Sequence, residues 1–210
     1  MKNSNTNTPK MERPSVIEVL KYLNEWDNLE NYTLQESALR KLFSITYPKN
    51  DDLDQILIKV AALNDFYSTH VRSRFEFGLH IFELNIDIRL ASGDLTLVND
   101  LAGITWSSGE YFNLLSFASK YCSHHFPDKF VIFDYYVQRV LEHFRDSDHF
   151  YDFNSRDLRD YEKLHRVIVR FRDFYFLNGF SLKDIDRYLW QFGKEHFPRN
   201  YKAKSDTIKT

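Results

Sequence analysis

Residues 111–141 read YFNLLSFASKYCSHHFPDKFVIFDYYVQRVL, and the way this run breaks decides the fold. From Glu110 to His124 the apolar residues recur at helical spacing, and Phe126-Pro127-Asp128 stops them. Proline lacks the amide that would continue the ladder, so the stop has a mechanism. The segment VIFDYYV at 131–137 is short, β-branched and aromatic, which leaves a strand open. Its continuation from Gln138 to Phe144 is helical, so the segment reads as a short extended run feeding a helix. Helix, proline turn, extended run and helix again describe a helical protein rather than a sheet.

The flanks carry the same pattern. Ser15 and Glu18 form a capping-box pair before Val16, Val19, Leu20, Leu23 and Trp26. Thr33 and Glu36 repeat that start signal before Leu39, Leu42 and Phe43, and Pro48 to Asp51 break the chain. Leu53, Ile56, Leu57, Val60, Leu63, Tyr67 and Val71 form one stripe, helical to about His70. Residues 75–101 read as two or three short helices, punctuated by Ser92-Gly93-Asp94, with Asp94 as an N-cap. Gly103 to Gly109 is the loosest interior stretch. Asn154 or Ser155 starts a helix with Tyr161, Leu164, Ile168, Phe171 and Tyr175 on one stripe. Ser181 and Asp184 start another through Leu182, Ile185, Leu189 and Phe192. The expectation is an all-α fold of about nine to eleven helices. A single compact domain spans 15–200, between a disordered leader at 1–14 and a polar tail at 201–210.

Composition bounds the function. The 210 residues carry 28 Lys+Arg against 30 Asp+Glu and are 43% hydrophobic, which excludes wholesale disorder and a broadly basic nucleic-acid coat. The single Cys122 excludes an internal disulfide, a four-cysteine zinc site and a cysteine-held iron–sulfur cluster. No apolar stretch approaches the roughly 18 residues needed to cross a membrane, and the N-terminus has no apolar signal core. A cytoplasmic protein that stays off membranes is expected. Six glycines and 17% aromatic residues imply a regular backbone around an aromatic core.

The chemistry concentrates in the opening run. Lys120 lies on a helix among Phe117, Tyr121 and Phe133, where desolvation would free its amine as a nucleophile. Asp134 precedes the next helix, whose bare amides favour an anion. An amine and a carboxylate so placed suit cleavage of an N-glycosidic bond, where positive charge grows on the sugar. A structural Lys120–Asp134 ion pair, or Asp134 as a plain helix cap, fits the same residues. Cys122, His124, His125, His143 and His149 lack metal-ligand spacing, and no cofactor motif is present, so neither a metal nor a cofactor is expected. Arg159, Lys163, Arg166 and Arg170 share one helix face that could follow a phosphate backbone, although acidic neighbours interleave with them.

SFASKYCSHHFPDKFVIFDYYV, with LNDFYSTHV at 63–71 and YLWQFGKEHF at 188–197, resembles a set of uncharacterised bacterial proteins. Those are in turn remotely similar to the helix-hairpin-helix DNA glycosylases, in particular the 8-oxoguanine branch. The resemblance implies a glycosylase-like helical fold and DNA as partner. It also implies Lys120 as the group that attacks the sugar of a flipped-out nucleotide, with Asp134 in support. Asn64, Tyr67 and Ser68 would then fill the gap left by the extruded base, and Arg72, Arg74, Lys129 and Arg139 would contact the strand. The chain departs from that family in two places. Thr105 to Glu110 offers one glycine where the phosphate-gripping hairpin is glycine-rich, and the interval from Lys120 to Asp134 is shorter, an ungapped match placing Ser116 at the lysine position. Two other functions remain beside the enzyme: a catalytically silent nucleic-acid-binding relative, and a helical protein-interaction module.

Overall fold

Ser15 opens the first helix, α1 (Val16–Asp27), by accepting the Glu18 amide on its hydroxyl at 3.2 Å. This satisfies one of the donors that every helix start leaves bare. The structure is a computed structural model that describes residues 11–199. Residues 1–10 of the expected leader and the tail at 201–210 lie outside the described residues. The body reaches further back than Ser15, however. Arg13 holds Asp148 at 2.7 Å and lies over Phe174 and Tyr175, while Met11 packs against the core.

The second helix, α2 (Glu30–Lys41), starts before Thr33 and runs on into a π turn at Leu42–Thr46. The Thr33 hydroxyl donates back to the Leu29 and Glu30 carbonyls inside the helix, a use of threonine that competes with capping. Asp52 caps α3 (Leu53–Tyr67) by accepting the Asp54 and Gln55 amides, and the helix ends at Tyr67 with Ser68 left-handed at φ 48. The chain then makes α4 (Arg74–Leu84), α5 (Asp87–Ser92) and α6 (Thr96–Ala102).

The loose stretch is a small hairpin. β1 (Gly103–Thr105) pairs antiparallel with β2 (Tyr111–Asn113), Ile104 opposite Phe112, around a turn in which Gly109 has φ 84. The expected helix therefore begins later, and Glu110 to Asn113 belong to the hairpin. Asn113 accepts the Leu115 amide at 3.1 Å at the start of α7 (Leu115–His125).

Every residue of α7 except Ser116 is buried. Asn50, in the loop after the π turn, ties that loop to α7: its Oδ1 accepts from Tyr121 Oη and from Lys59 Nζ, each at 2.6 Å. Lys59 is fully buried, donates also to the Tyr47 and Lys49 carbonyls, and is pushed down to about 8 by burial. A chain segment without regular structure leads from Phe126 to Asp134 and feeds α8 (Tyr135–Asp148), as expected. Asn154 accepts the amides of Arg156 and Asp157 and so caps a short 3-10 turn. Asp160, not Asn154 or Ser155, caps α9 (Tyr161–Phe174). The Ser181–Asp184 capping box starts α10 (Leu182–His196). Among the described residues the fold is all-α apart from the hairpin, with ten α-helices.

Helix α10 lies between α1 and α8. Tyr22 of α1 meets Tyr188 and Phe192 edge-on, with centroids 5.5 and 5.8 Å apart. On the other side Gly193 lets α8 approach so closely that a Cβ there would stand 2.7 Å from Tyr136 Cβ and from its carbonyl oxygen. Gly193→Ala should therefore destabilise the protein by about 1–3 kcal/mol, the usual range for overpacking, although alanine is the better helix former. Urea unfolding measures this, and an unchanged or higher midpoint would contradict the close α8–α10 contact.

Candidate functional site

The Pro127 turn sends the chain back along α7, and two polar contacts fix where it lands. Ser119 Oγ accepts the Phe133 amide at 3.0 Å, and Tyr161 Oη donates to the Val131 carbonyl at 2.8 Å. These bonds place Asp134 opposite Lys120. Asp134 divides its carboxylate: Oδ1 accepts the Tyr136 amide at 2.9 Å as the cap of α8, and Oδ2 stands 3.8 Å from Lys120 Nζ.

Both side chains line a cleft of about 390 Å³, within the roughly 300–1,000 Å³ typical of small-molecule sites. Lys120 is 3% exposed, and its Nζ donates to Ser116 Oγ at 2.7 Å and, at 3.3 Å, to the carbonyls of Ser116 and Phe133. Ser116 is one turn before Lys120, so the two share a helix face and the amine reaches back to the serine. Burial pulls the Lys120 amine below the usual lysine range, and the Asp134 carboxylate opposes that pull. The Tyr67 ring lies 5.3 Å from Nζ, and burial pushes its phenol up to about 12.

A second set of charges forms the other wall. Lys183 stands 2.9 Å from Glu36 and 3.2 Å from Asp186, and Arg187 stands 2.7 Å from Glu36. Burial alone would lower Lys183, but Asp186, Tyr67 and Glu36 outweigh it and raise the amine above its ordinary value. Burial works against the Glu36 carboxylate too, yet Lys183 and Arg187 hold it below the usual range. Asp186 is raised by burial, against the opposing pull of Lys183. Glu36, Lys183 and Arg187 also line a neighbouring cavity of about 440 Å³, so this ion-paired group stands between the two spaces. Trp26, Tyr32, Tyr136 and Trp190 complete the cleft with aromatic surface.

Of the residues expected from the sequence, the structure brings Lys120, Asp134, Tyr67 and Ser68 to this cleft. Five others are not among its lining residues. Asn64 is buried, and its side-chain oxygen accepts the Val71 amide at 2.8 Å and the Thr69 hydroxyl at 3.0 Å, which closes the turn after α3. Arg72 pairs with Glu110 of the hairpin at 3.0 Å. Arg74 is the exposed first residue of α4. Lys129 donates to the Ala91 carbonyl beside a shallow hollow that includes Gly93 and His165, and Arg139 pairs with Glu142 at 3.2 Å. On the basic face of α9, Lys163 pairs with Asp157 at 2.9 Å.

The sequence reading missed Glu36, Lys183, Asp186, Arg187, Trp26, Tyr32 and Trp190. One signal was present: Lys183, Arg187 and Trp190 fall at i, i+4 and i+7 of a single helix face. Among the described residues no group of three or more His, Cys, Asp or Glu is placed to hold a metal ion. His124 shares a 3.1 Å hydrogen bond with Tyr67, and His125 lies 3.3 Å from the Asn50 amide. Among the described residues no helix is long and apolar enough to cross a membrane.

Comparison with known proteins places these residues in a wider set. The profile of the HI_0787_N family, described as an N-terminal domain, matches residues 18–129. A protein of Haemophilus influenzae, described only as uncharacterized, is 38% identical over 149 residues, 70% of this chain and 71% of its own length. No solved structure matches the chain. The matched segment contains Trp26, Glu36 and Lys120 and stops before Asp134, so the cleft joins that segment to the part of the chain beyond it.

The buried imidazoles set a pH dependence. Burial holds His124 and His125 down to about 3 from the ordinary 6.5, so between those values the folded chain binds fewer protons than the unfolded one. Stability therefore falls as pH falls through that window, by up to about 1.4 kcal/mol per pH unit for each imidazole. Urea titrations across the window should give His124→Gln a slope shallower than wild type by about that amount. Parallel slopes would mean that His124 takes up its proton in the folded protein.

Proposed function

This chain belongs to the HI_0787_N family of N-terminal domains, and we propose that its cleft cleaves a base–sugar bond in DNA, with Lys120 as nucleophile and Asp134 as supporting carboxylate. The observation that carries the proposal is the buried Lys120 amine on the wall of a cleft, 3.8 Å from a carboxylate that is itself anchored as a helix cap. Desolvation favours the neutral amine, the form with a lone pair to give. Once the proton has left, the Ser116 hydroxyl can turn and donate to that amine, which holds it in place.

The chemistry follows from these positions. The neutral Lys120 nitrogen forms a bond to the sugar C1′, the C1′–base bond breaks, and its electron pair leaves on the base nitrogen, which takes the proton the amine gives up. The C1′–O4′ bond then opens, its electron pair going to a protonated O4′, and leaves a Schiff base between Lys120 and C1′. Positive charge grows on the sugar as the base leaves, and the Asp134 carboxylate lies where it lowers the energy of that charge. The half-buried aromatic side chains at the cleft, Trp26, Tyr32, Tyr136 and Trp190, supply flat apolar surface for a planar base.

A second reading, non-catalytic DNA binding, is favoured by one observation: Lys120 Nζ already has three oxygen acceptors within 3.3 Å and Asp134 already caps α8. Borohydride separates the two. With DNA carrying damaged bases, the Schiff base formed on the sugar should be reduced to a covalent protein–DNA adduct. Lys120→Ala should abolish the adduct, and Asp134→Asn should slow base release roughly 10²–10⁴-fold, as for a lost acid–base group. An adduct that survives Lys120→Ala would assign the chemistry to another amine. Absence of both adduct and base release across a broad lesion panel would leave the non-catalytic reading.

A further inference from the structure

Four side chains of α10, Lys183, Arg187, Trp190 and Lys194, follow one another at spacings of four, three and four and so form one stripe along the helix. The stripe begins inside the cleft and rises out of it: the Lys183 side chain is 17% exposed, Arg187 29%, Trp190 half-buried and Lys194 exposed. Deep in the cleft Glu36 balances the first two cations. Further out, the cations rest on rings. Lys194 Nζ donates to Tyr32 Oη at 2.8 Å and lies 4.8 Å from the Trp190 ring, and Arg199 lies 4.2 Å from the Tyr135 ring. Tyr32, Trp26 and Tyr136 all meet Trp190 edge-on, with centroids 5.0, 5.9 and 6.3 Å apart.

We infer that this stripe is the path of an unpaired DNA strand, so that the cleft takes its base from single-stranded rather than duplex DNA. The inference rests on the reading of the cleft as a base site. Rings interleaved with surface cations are what an unpaired strand needs, because its bases can stack on the rings while its phosphates meet the cations. A duplex hides the same base faces and must be unstacked first. In the hairpin at residues 103–113, several groups that could meet a duplex phosphate are already engaged. The Trp106 and Gly109 amides bond within the hairpin, the Ser107 amide donates to Glu76 at 2.7 Å, and Glu110 occupies Arg72.

Fluorescence anisotropy on the full chain tests this, with a short fluorescein-labelled oligothymidylate, free or annealed to oligodeoxyadenylate. The single strand should bind about tenfold or more tightly than the duplex. Trp190→Ala should weaken single-strand binding about tenfold, the loss of one stacking surface. Lys194→Gln, at the surface, should reduce the salt slope by about 0.7, the contribution of one phosphate on a single strand. Duplex binding as tight as single-strand binding, no binding of either, or wild-type behaviour of both variants would overturn the inference. Base release is a separate readout, so a chain that binds the single strand through Trp190 and Lys194 but releases no base loses the proposed activity and keeps this one.

Discussion

A helix buried on nearly every side has no solvent to satisfy its polar side chains, and α7 is such a helix. It carries Ser119, Lys120, Ser123, His124 and His125 into the interior, and an unsatisfied polar group there costs about 1–3 kcal/mol. Ser119 answers by holding the returning chain at Phe133, His124 by meeting Tyr67, and His125 by meeting Asn50. Each contact fixes a different neighbour, so α3, the Asn50 loop and the run into α8 are all positioned by the need to satisfy one helix. Lys120 belongs to the same set, with the difference that its amine faces a carboxylate, Asp134, across the cleft that both line.

That difference joins structure to chemistry. The shortest contact that seats Lys120 is local, to Ser116, whereas its charge partner comes from the far side of the Pro127 turn. Asp134 is held by the α8 amide it caps, so its free oxygen faces the amine without needing the amine to hold it there. A carboxylate fixed by backbone rather than by its counter-ion keeps its place when the counter-ion changes state. Such preorganisation is what a charge-stabilising group requires.

The features legible in the sequence were those set by neighbours along the chain. Ser15, Ser181 and Asp134 cap the helices that follow them because a cap bonds two or three residues ahead. Lys120 and Asp134 could be paired because a proline turn lies between them. Thr33 misled because the same hydroxyl can cap a helix or bond back inside one. The hairpin escaped because strands of three residues are too short to show an alternating period. The second wall of the cleft was out of reach for another reason. Glu36 meets Arg187 across 151 positions of sequence, and only the packing of α2 against α10 makes them neighbours.

The group formed by Glu36, Lys183 and Arg187 has an evolutionary consequence. Glu36 contacts both cations, at 2.9 Å and 2.7 Å, and all three side chains are largely withdrawn from water. Removing one member of a buried ion pair strands the other, at a cost of about 3–5 kcal/mol. Loss of Glu36 takes a partner from both cations at once and leaves Lys183 to Asp186 at 3.2 Å and Arg187 to Asp184 at 3.7 Å. A single substitution at these positions breaks at least one of these pairs, so the route from this arrangement to another passes through less stable intermediates. Descendants of this chain are expected to keep the three together or to replace them together, and the wall they form drifts more slowly than the rings that line the rest of the cleft.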